Sequence, residues 1–250
     1  MKLSANLGFL WKDLPLPDAI RAAKRAGFDA VECHFPYAVP IDDVNAALAE
    51  TGLPMMGLNT WKGGDSEFGL AALPGREADA RAVIDQAVDY ARAIGCRNIH
   101  VMAGKSGPEA EAVFRGNLEY ACEQAGDITM LIEPINDRDV PGYHLSTLEQ
   151  AAAIVTAVGH PKLKIMADCY HIQIMGGDLV RGLEKPLPSI GHIQIAAVPS
   201  RGRPDEGELD YAWIAGALAG MGYDGFLGAE YRPEGPMEDG LGWMAAIQSR

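Results

Sequence analysis

The chain has 250 residues, a length that suits one large α/β barrel and exceeds a minimal domain. Hydrophobic residues make up 48%, enough for a sizeable core, while 34 acidic against 21 basic residues give a formal net charge of −13. That balance argues against nucleic acid or an anionic membrane as partner and favours a soluble cytoplasmic protein acting on a small molecule. Residues 1–10 hold no long apolar core or cleavage site, so no signal peptide is expected. No apolar run nears the roughly 20 residues of a membrane span. Cys33, Cys96, Cys122 and Cys169 form no C-x-x-C pair and read as buried free thiols in a reducing compartment.

In chain order, residues 2–7 read as a strand with polar Ser4 and Asn6 at alternate positions. Residues 17–26 follow as a helix, with Pro15 and Pro17 near its start and Gly27 at its end. Residues 30–34 are strand, 41–50 helix and 54–59 strand. Residues 60–74 are long and contain several glycines, which marks a loop or lid. Residues 78–94 form a long helix whose Ala82, Val83, Ala87, Val88 and Ala91 share a face, closed by Gly95. The second half repeats the alternation, with strands over 98–102, 129–133, 163–168, 190–196 and 225–230. Its helices cover 108–124, 147–158, 177–183, 211–220 and 236–247. Strands alternating with helices imply parallel pairing. The unit count, the length and the lack of an early G-x-G-x-x-G favour a single-domain (β/α)8 TIM barrel over a doubly wound open sheet.

In such a barrel the active site lies at the C-terminal ends of the strands. The informative residues are therefore polar ones that finish an apolar strand. Leu131-Ile132-Glu133, Met166-Ala167-Asp168, Gly191-His192-Ile193-Gln194 and Gly228-Ala229-Glu230 are spaced by about one strand–helix unit each. Four consecutive strands thus deliver Glu133, Asp168, Gln194 and Glu230 to one side of the mouth. Three converging carboxylates stay ionised together only around a cation. An all-oxygen set suits one hard divalent ion, Mg2+ or Mn2+. The competing explanation, that each acidic residue merely caps the next turn, weakens when four stand at matched strand ends. Lys105 and Arg201 follow strands and are placed to hold a substrate carboxylate. His34 ends a strand at the same mouth, Asn6 ends the first strand within reach of substrate, and His171 lies just past Asp168. His144 closes the loop Pro141-Gly142-Tyr143-His144. His100, read as mid-strand, and His160, before Pro161, look structural.

The chain resembles the hydroxypyruvate isomerase family, within the xylose-isomerase-like and endonuclease-like metal-dependent barrels. The resemblance runs over essentially the whole sequence. It rests on Ser4-Ala5-Asn6-Leu7, Gly27-Phe28, Val31-Glu32, Phe35-Pro36-Tyr37, Pro74-Gly75-Arg76-Glu77 and Gly104-Lys105. Leu131-Ile132-Glu133-Pro134-Ile135-Asn136, Pro141-Gly142-Tyr143-His144-Leu145 and Leu163-Lys164-Ile165 continue it. Asp168-x-Tyr170-His171, Gly191-His192-Ile193-Gln194-Ile195-Ala196 and Glu230-Tyr231 complete the set. The resemblance implies an aldose–ketose type isomerisation between hydroxypyruvate and tartronate semialdehyde. Glu133 and Glu230 would be both metal ligands and the acid/base pair. Asp168 and Gln194 would complete the metal site, which holds the substrate oxygens and stabilises an enediolate, and His171 would bind a substrate oxygen.

The sequence departs from the family pattern at Ala197, where an acidic or hydroxyl residue is usual, at Leu58-Asn59, where His-Asn is expected, and in the loop over residues 199–208. These positions are expected to surround the substrate rather than the metal. A 2-oxo-tetronate isomerase or a ketose 3-epimerase would use the same metal and the same glutamates. A metal-dependent endonuclease would want a basic surface and more ligands, and a non-catalytic barrel would not need the converging carboxylates. The sequence also leaves room for a homo-oligomer.

Overall fold

The computed structural model describes residues 1–64 and 66–250. Asp65, part of the excursion expected over residues 60–74, lies outside the described residues. Among these, eight strands make one sheet: β1 (Lys2–Asn6), β2 (Ala30–Glu32), β3 (Gly57–Asn59), β4 (Asn98–His100), β5 (Thr129–Ile132), β6 (Leu163–Asp168), β7 (Ile190–Ile195) and β8 (Phe226–Ala229). Their order is β2-β1-β8-β7-β6-β5-β4-β3, and the pairs are parallel. The two outer strands meet. Val31 bridges Met55, the Cys33 N–H donates to Gly57 O, and the Asn59 N–H donates to His34 O. The sheet therefore closes into the expected barrel, and the open-sheet alternative is excluded.

The strand centres are apolar because both faces are covered. Ile99, Met130, Ile165, Ile193 and Leu227 are all fully buried. The helices that cover them are α1 (Leu16–Arg25), α2 (Ile41–Thr51), α3 (Glu77–Ile94), α4 (Glu111–Gln124), α5 (Leu148–Val158), α6 (Cys169–Met175), α7 (Leu179–Glu184), α8 (Tyr211–Gly220) and α9 (Trp243–Gln248). Helix α3 shows why the sequence folds this way. Ala80, Ile84, Ala87, Val88, Ala91 and Ile94 recur at helical spacing and are its buried face, and Gly95 ends it at φ 65°.

Strands β2, β3 and β4 are shorter than expected, at three residues each, and three helical segments also differ. Helix α6 starts at once after β6, because the Asp168 side chain caps it by accepting from the Tyr170 N–H at 2.9 Å. The expected helix over 236–247 divides into a 3-10 turn, Met237–Gly240, and α9, with Gly240 and Gly242 at the break. The expected helix over 108–124 likewise opens with a 3-10 turn, Pro108–Ala110.

The 60–74 excursion is pinned to the end of β4. Gly69 bridges Ala103, and Ala71 and Ala72 donate to Met102 O and Ala103 O. Gly69 has φ 130°, and a Cβ there would lie 2.5 Å from Met102 O. Gly69→Ala is therefore expected to destabilise the protein by about 1–3 kcal/mol, through left-handed strain and a backbone clash together. Denaturant unfolding of the variant checks this, and an unchanged midpoint would show that the close approach is dispensable.

Candidate active site

Strand register aligns the polar strand ends. Asp168 of β6 pairs with Gln194 of β7, and Gln194 pairs with Gly228 of β8. Glu230 stands two residues beyond Gly228 and shares its face. Glu133 follows Ile132, the last residue of β5. All four side chains are buried, Asp168 completely. They lie at or beneath a cavity of about 320 Å3, whose lining includes Glu133, Glu230, His171, Arg201, His34 and His100.

The polar groups are tightly coupled. Glu230 Oε1 accepts from Arg201 Nη2 at 2.6 Å, and its Oε2 accepts from Asn6 Nδ2 at 2.7 Å and from Gln194 Nε2 at 2.5 Å. The same Arg201 Nη2 reaches Asp168 Oδ2 at 3.2 Å. The guanidinium lies 4.9 Å from the ring centroids of both Phe9 and Tyr170. Arg201 adopts φ 55°, held by its own N–H to Ala197 O and by the Arg232 N–H to Arg201 O. His171 Nε2 stands 3.5 Å from Asp168 Oδ2 and 3.7 Å from Glu133 Oε1. Its Nδ1 faces two donors of Asn136, the backbone N–H at 3.3 Å and Nδ2 at 2.6 Å. Nδ1 is thus the acceptor nitrogen, and the ring hydrogen sits on Nε2, aimed at the carboxylates.

Several sequence-predicted residues lie elsewhere than the substrate cavity. Asn6 is beneath it, its amide committed to Glu230. Lys105 is exposed and does not line the cavity, because β4 ends at His100 and the backbone of Lys105 is taken up by a bridge to Tyr143 and by its N–H to Glu67 O. His144 turns away from the cavity, with Nδ1 3.1 Å from Ser106 Oγ and its ring edge-on to Phe114. Of the departure positions, Leu58 packs inside the barrel and Ala197 is fully buried, and neither lines the cavity. His34 does line it, edge-on to Phe9 and Phe35. Sequence reasoning missed His100, which ends β4 and puts Nδ1 3.4 Å from Glu133 Oε2. It also missed Phe9, Phe35, Phe68 and Arg232 on the wall. The early end of β4 was the signal for His100, whereas the wall residues sit in loops without periodicity.

The model of the xylose isomerase-like TIM barrel family matches residues 20–247. The chain belongs to that family. It is 43% identical to the 2-oxo-tetronate isomerase of Cupriavidus necator, over all of this chain and 99% of that protein. It is 37% identical to the hydroxypyruvate isomerase of Escherichia coli K12, over 98% of each. A solved structure described as an AP endonuclease, family 2, from Brucella melitensis superposes with a TM-score of 0.94 at 38% identity, over 98% of each chain. A D-allulose 3-epimerase from Methylomonas sp., at 19% identity and a TM-score of 0.83, shares the fold.

In this family member the electrostatics of the mouth are unbalanced. Burial, then Glu230 and Asp168, push the Glu133 carboxyl well above its ordinary range. Burial raises Glu230 to about 8 even though Arg201 and Gln194 favour its ionised form. Asp168 is raised by burial too, against the pull of Arg201. Burial opposes the charge of Arg201, but Glu230, Asp168 and Glu133 outweigh it and raise its pKa. Three carboxylates facing one guanidinium leave room for two more positive charges. Glu133 Oε1 and Gln194 Oε1 are buried acceptors with no hydrogen-bond partner among the described residues. Glu133 and Asp168 each bring a carboxylate oxygen, and His171 a ring nitrogen, within 4.8 Å of one another, the imidazole N–H serving as donor beside the two carboxylates. The donor set therefore fits a divalent cation.

A cation must displace the protons that burial keeps on these carboxyls. Divalent-metal affinity is expected to rise with pH through about 8, where Glu230 gives up its proton. Stability of the metal-free protein should move the other way. The Glu230 carboxyl keeps its proton in the folded state longer than in the unfolded chain. Stability is then lost as pH climbs from 4.5 toward about 8. Calorimetric metal titration and thermal melts across this window check both, and a flat affinity profile would refute the assignment.

Proposed function

We propose that this protein is a metal-dependent isomerase interconverting hydroxypyruvate and tartronate semialdehyde, 2-hydroxy-3-oxopropanoate. The observation that carries this reading is the pair of buried, high-pKa glutamates, Glu133 and Glu230, at one cavity, with Glu133 Oε1 and the neighbouring Gln194 Oε1 left without a hydrogen-bond partner among the described residues. Isomerisation needs one group to take a proton from the carbon beside a carbonyl and another to return it to the neighbouring carbon. Carboxyls whose proton affinity burial raises, Glu230 to about 8 and Glu133 in the same direction, can do both. Glu133, Asp168, Gln194 and Glu230 would hold the ion, and their oxygens suit Mg2+ or Mn2+. When bound, the ion supplies Lewis-acid stabilisation of negative charge on the substrate oxygens.

The remaining groups follow from the cavity. Arg201 Nε is a buried donor without a partner among the described residues, and Arg232 lines the same wall, so the substrate carboxylate belongs on that side. His171 Nε2–H, positioned by Asn136, donates to a substrate oxygen. His34 stays neutral, since burial and the nearby Arg201 hold it at about 4. Phe9, Phe35 and Phe68 keep water from the reacting carbons. A small hydroxy-oxo acid in the cytoplasm fits this cavity and the −13 charge better than nucleic acid does.

A second reading, a 2-oxo-tetronate isomerase, is favoured by the Cupriavidus necator relative. It uses the same ion and glutamates, as would a ketose 3-epimerase. Turnover of hydroxypyruvate, tartronate semialdehyde, 2-oxo-tetronates and ketohexoses by the Mg2+- or Mn2+-loaded enzyme separates the three. Hydroxypyruvate is expected to give the highest kcat/KM, and a preference for 2-oxo-tetronates or ketohexoses would reassign the substrate.

Glu133→Gln and Glu230→Gln are each expected to lower kcat by at least about a thousandfold, with melting temperature held or raised. The amide cannot shuttle a proton, yet it relieves carboxylate crowding. Near-normal turnover in either variant would remove that residue from the acid/base pair.

A further inference from the structure

Glu32 ends β2 deep in the barrel and is absent from the cavity wall, yet it is only 4% exposed and every one of its hydrogen-bond neighbours is a donor. Its Oε1 accepts from Ser4 Oγ at 2.9 Å and faces His192 Nε2 at 3.2 Å. Its Oε2 accepts from Gln194 Nε2 at 2.9 Å. That same Gln194 nitrogen donates to Glu230 Oε2. Only an NH2 group can sit between two carboxylate oxygens, so the amide of Gln194 has one tolerable orientation. Its Oε1 is then the atom left without a protein partner. The barrel also makes space for this arrangement. A Cβ on Gly228 of β8 would lie 2.2 Å from Glu32 Oε1, 2.7 Å from His192 Nε2 and 3.0 Å from Gln194 Cγ. Glycine at that strand position is what allows the three side chains to meet.

The geometry points to Glu32 as a positioning residue that fixes the Gln194 amide so that its carbonyl oxygen is presented for cation binding. This rests on the divalent-metal reading of the site. Ser4 and His192 hold Glu32, Glu32 holds the Gln194 nitrogen, and the orientation is set before any ion arrives. In Glu32→Gln the new side chain keeps its oxygen toward Ser4 and His192 and turns an NH2 toward position 194. Two amide nitrogens then oppose each other, and Gln194 must turn its own NH2 into the site.

The test measures Mn2+ alone binding to the full-length protein, by calorimetry and by the paramagnetic resonance signal of free Mn2+. Glu32→Gln should weaken Mn2+ roughly ten- to a hundredfold while circular dichroism shows the fold retained. The double variant Glu32→Gln with Gln194→Glu exchanges the two residues at constant net charge, and a carboxylate at 194 presents an oxygen either way. It should bind Mn2+ within a few-fold of the parent. Parent-like affinity in the single variant, or no recovery in the double, would overturn the positioning role. Should the single variant not fold, Ser4→Ala carries the test, with roughly fivefold weaker Mn2+ expected from loss of one hydrogen bond and unchanged affinity counting against the proposal. A parent protein that binds no Mn2+ would overturn the metal reading and this inference together, whereas binding by the parent with no change in the variants overturns this inference alone.

Discussion

Glu133, Asp168 and Glu230 are buried within reach of one another, and most other features of the barrel mouth answer that crowding. Carboxylates removed from water lose solvation, and each raises the cost of ionising the next. The protein meets this with Arg201, whose one Nη2 atom touches both Asp168 and Glu230. Placing the guanidinium there uses a left-handed backbone at Arg201, on the order of 1 kcal/mol in strain, and two aromatic faces that hold its plane. One guanidinium cannot neutralise three carboxylates. The remaining imbalance is what makes the site receptive to a cation and gives its glutamates the proton affinity an isomerase uses.

The fold tolerates such crowding because the ring of parallel strands is anchored by a largely apolar core. A parallel barrel points every strand end to one mouth, so each strand contributes a side chain without a loop having to place it. Register then sets height. Asp168, Gln194 and Gly228 lie across three neighbouring strands, and Glu230 rises one pleat above. Beneath them, Ser4, Glu32 and His192 form a polar cluster inside the barrel, beside Leu58, Leu131 and Met166. Such a cluster is tolerated only when fully satisfied, and its bonds run directly into the Gln194 amide.

The strand-end residues were legible in the sequence because two periodicities coincide there: apolar strands of fixed length, and one polar residue where each run stops. Glu133, Asp168 and Glu230 follow from that rule alone, while Gln194, inside β7 with Ile195 after it, follows from the spacing of one strand–helix unit. Asn6 obeys the same rule but faces the glutamate rather than the cavity, because its amide is the right length to donate to Glu230. Lys105 failed since it was counted from a strand two residues too long. The true end of β4 is His100, and the lysine falls in the connection that follows, bridged to Tyr143. Helix α6 was missed for a related reason. Asp168 is both the last strand residue and a helix cap, with one oxygen bonded to the Tyr170 N–H and the other facing Arg201. Capping and site chemistry, posed as alternatives from the sequence, are shared between the two oxygens of one carboxylate.

The same reasoning explains why the reaction class is easier to read than the substrate. The polar centre comes from strand ends, whose positions are dictated by the barrel. The wall that measures the substrate comes from Phe9, Phe35, Phe68 and Arg232, all carried on connections between strands and helices. Connections tolerate changes of length and residue that the strands do not. Leu58 and Ala197, two of the positions at which the sequence departs from the family pattern, are buried away from that wall, whereas the departing loop over 199–208 brings Arg201 to it. Substitution at positions 58 and 197 therefore acts on packing behind the site rather than on a surface the substrate touches. On the proposed reading, discrimination between a three-carbon and a four-carbon acid resides in the aromatic wall and in which guanidinium receives the carboxylate, the buried Arg201 or the exposed Arg232.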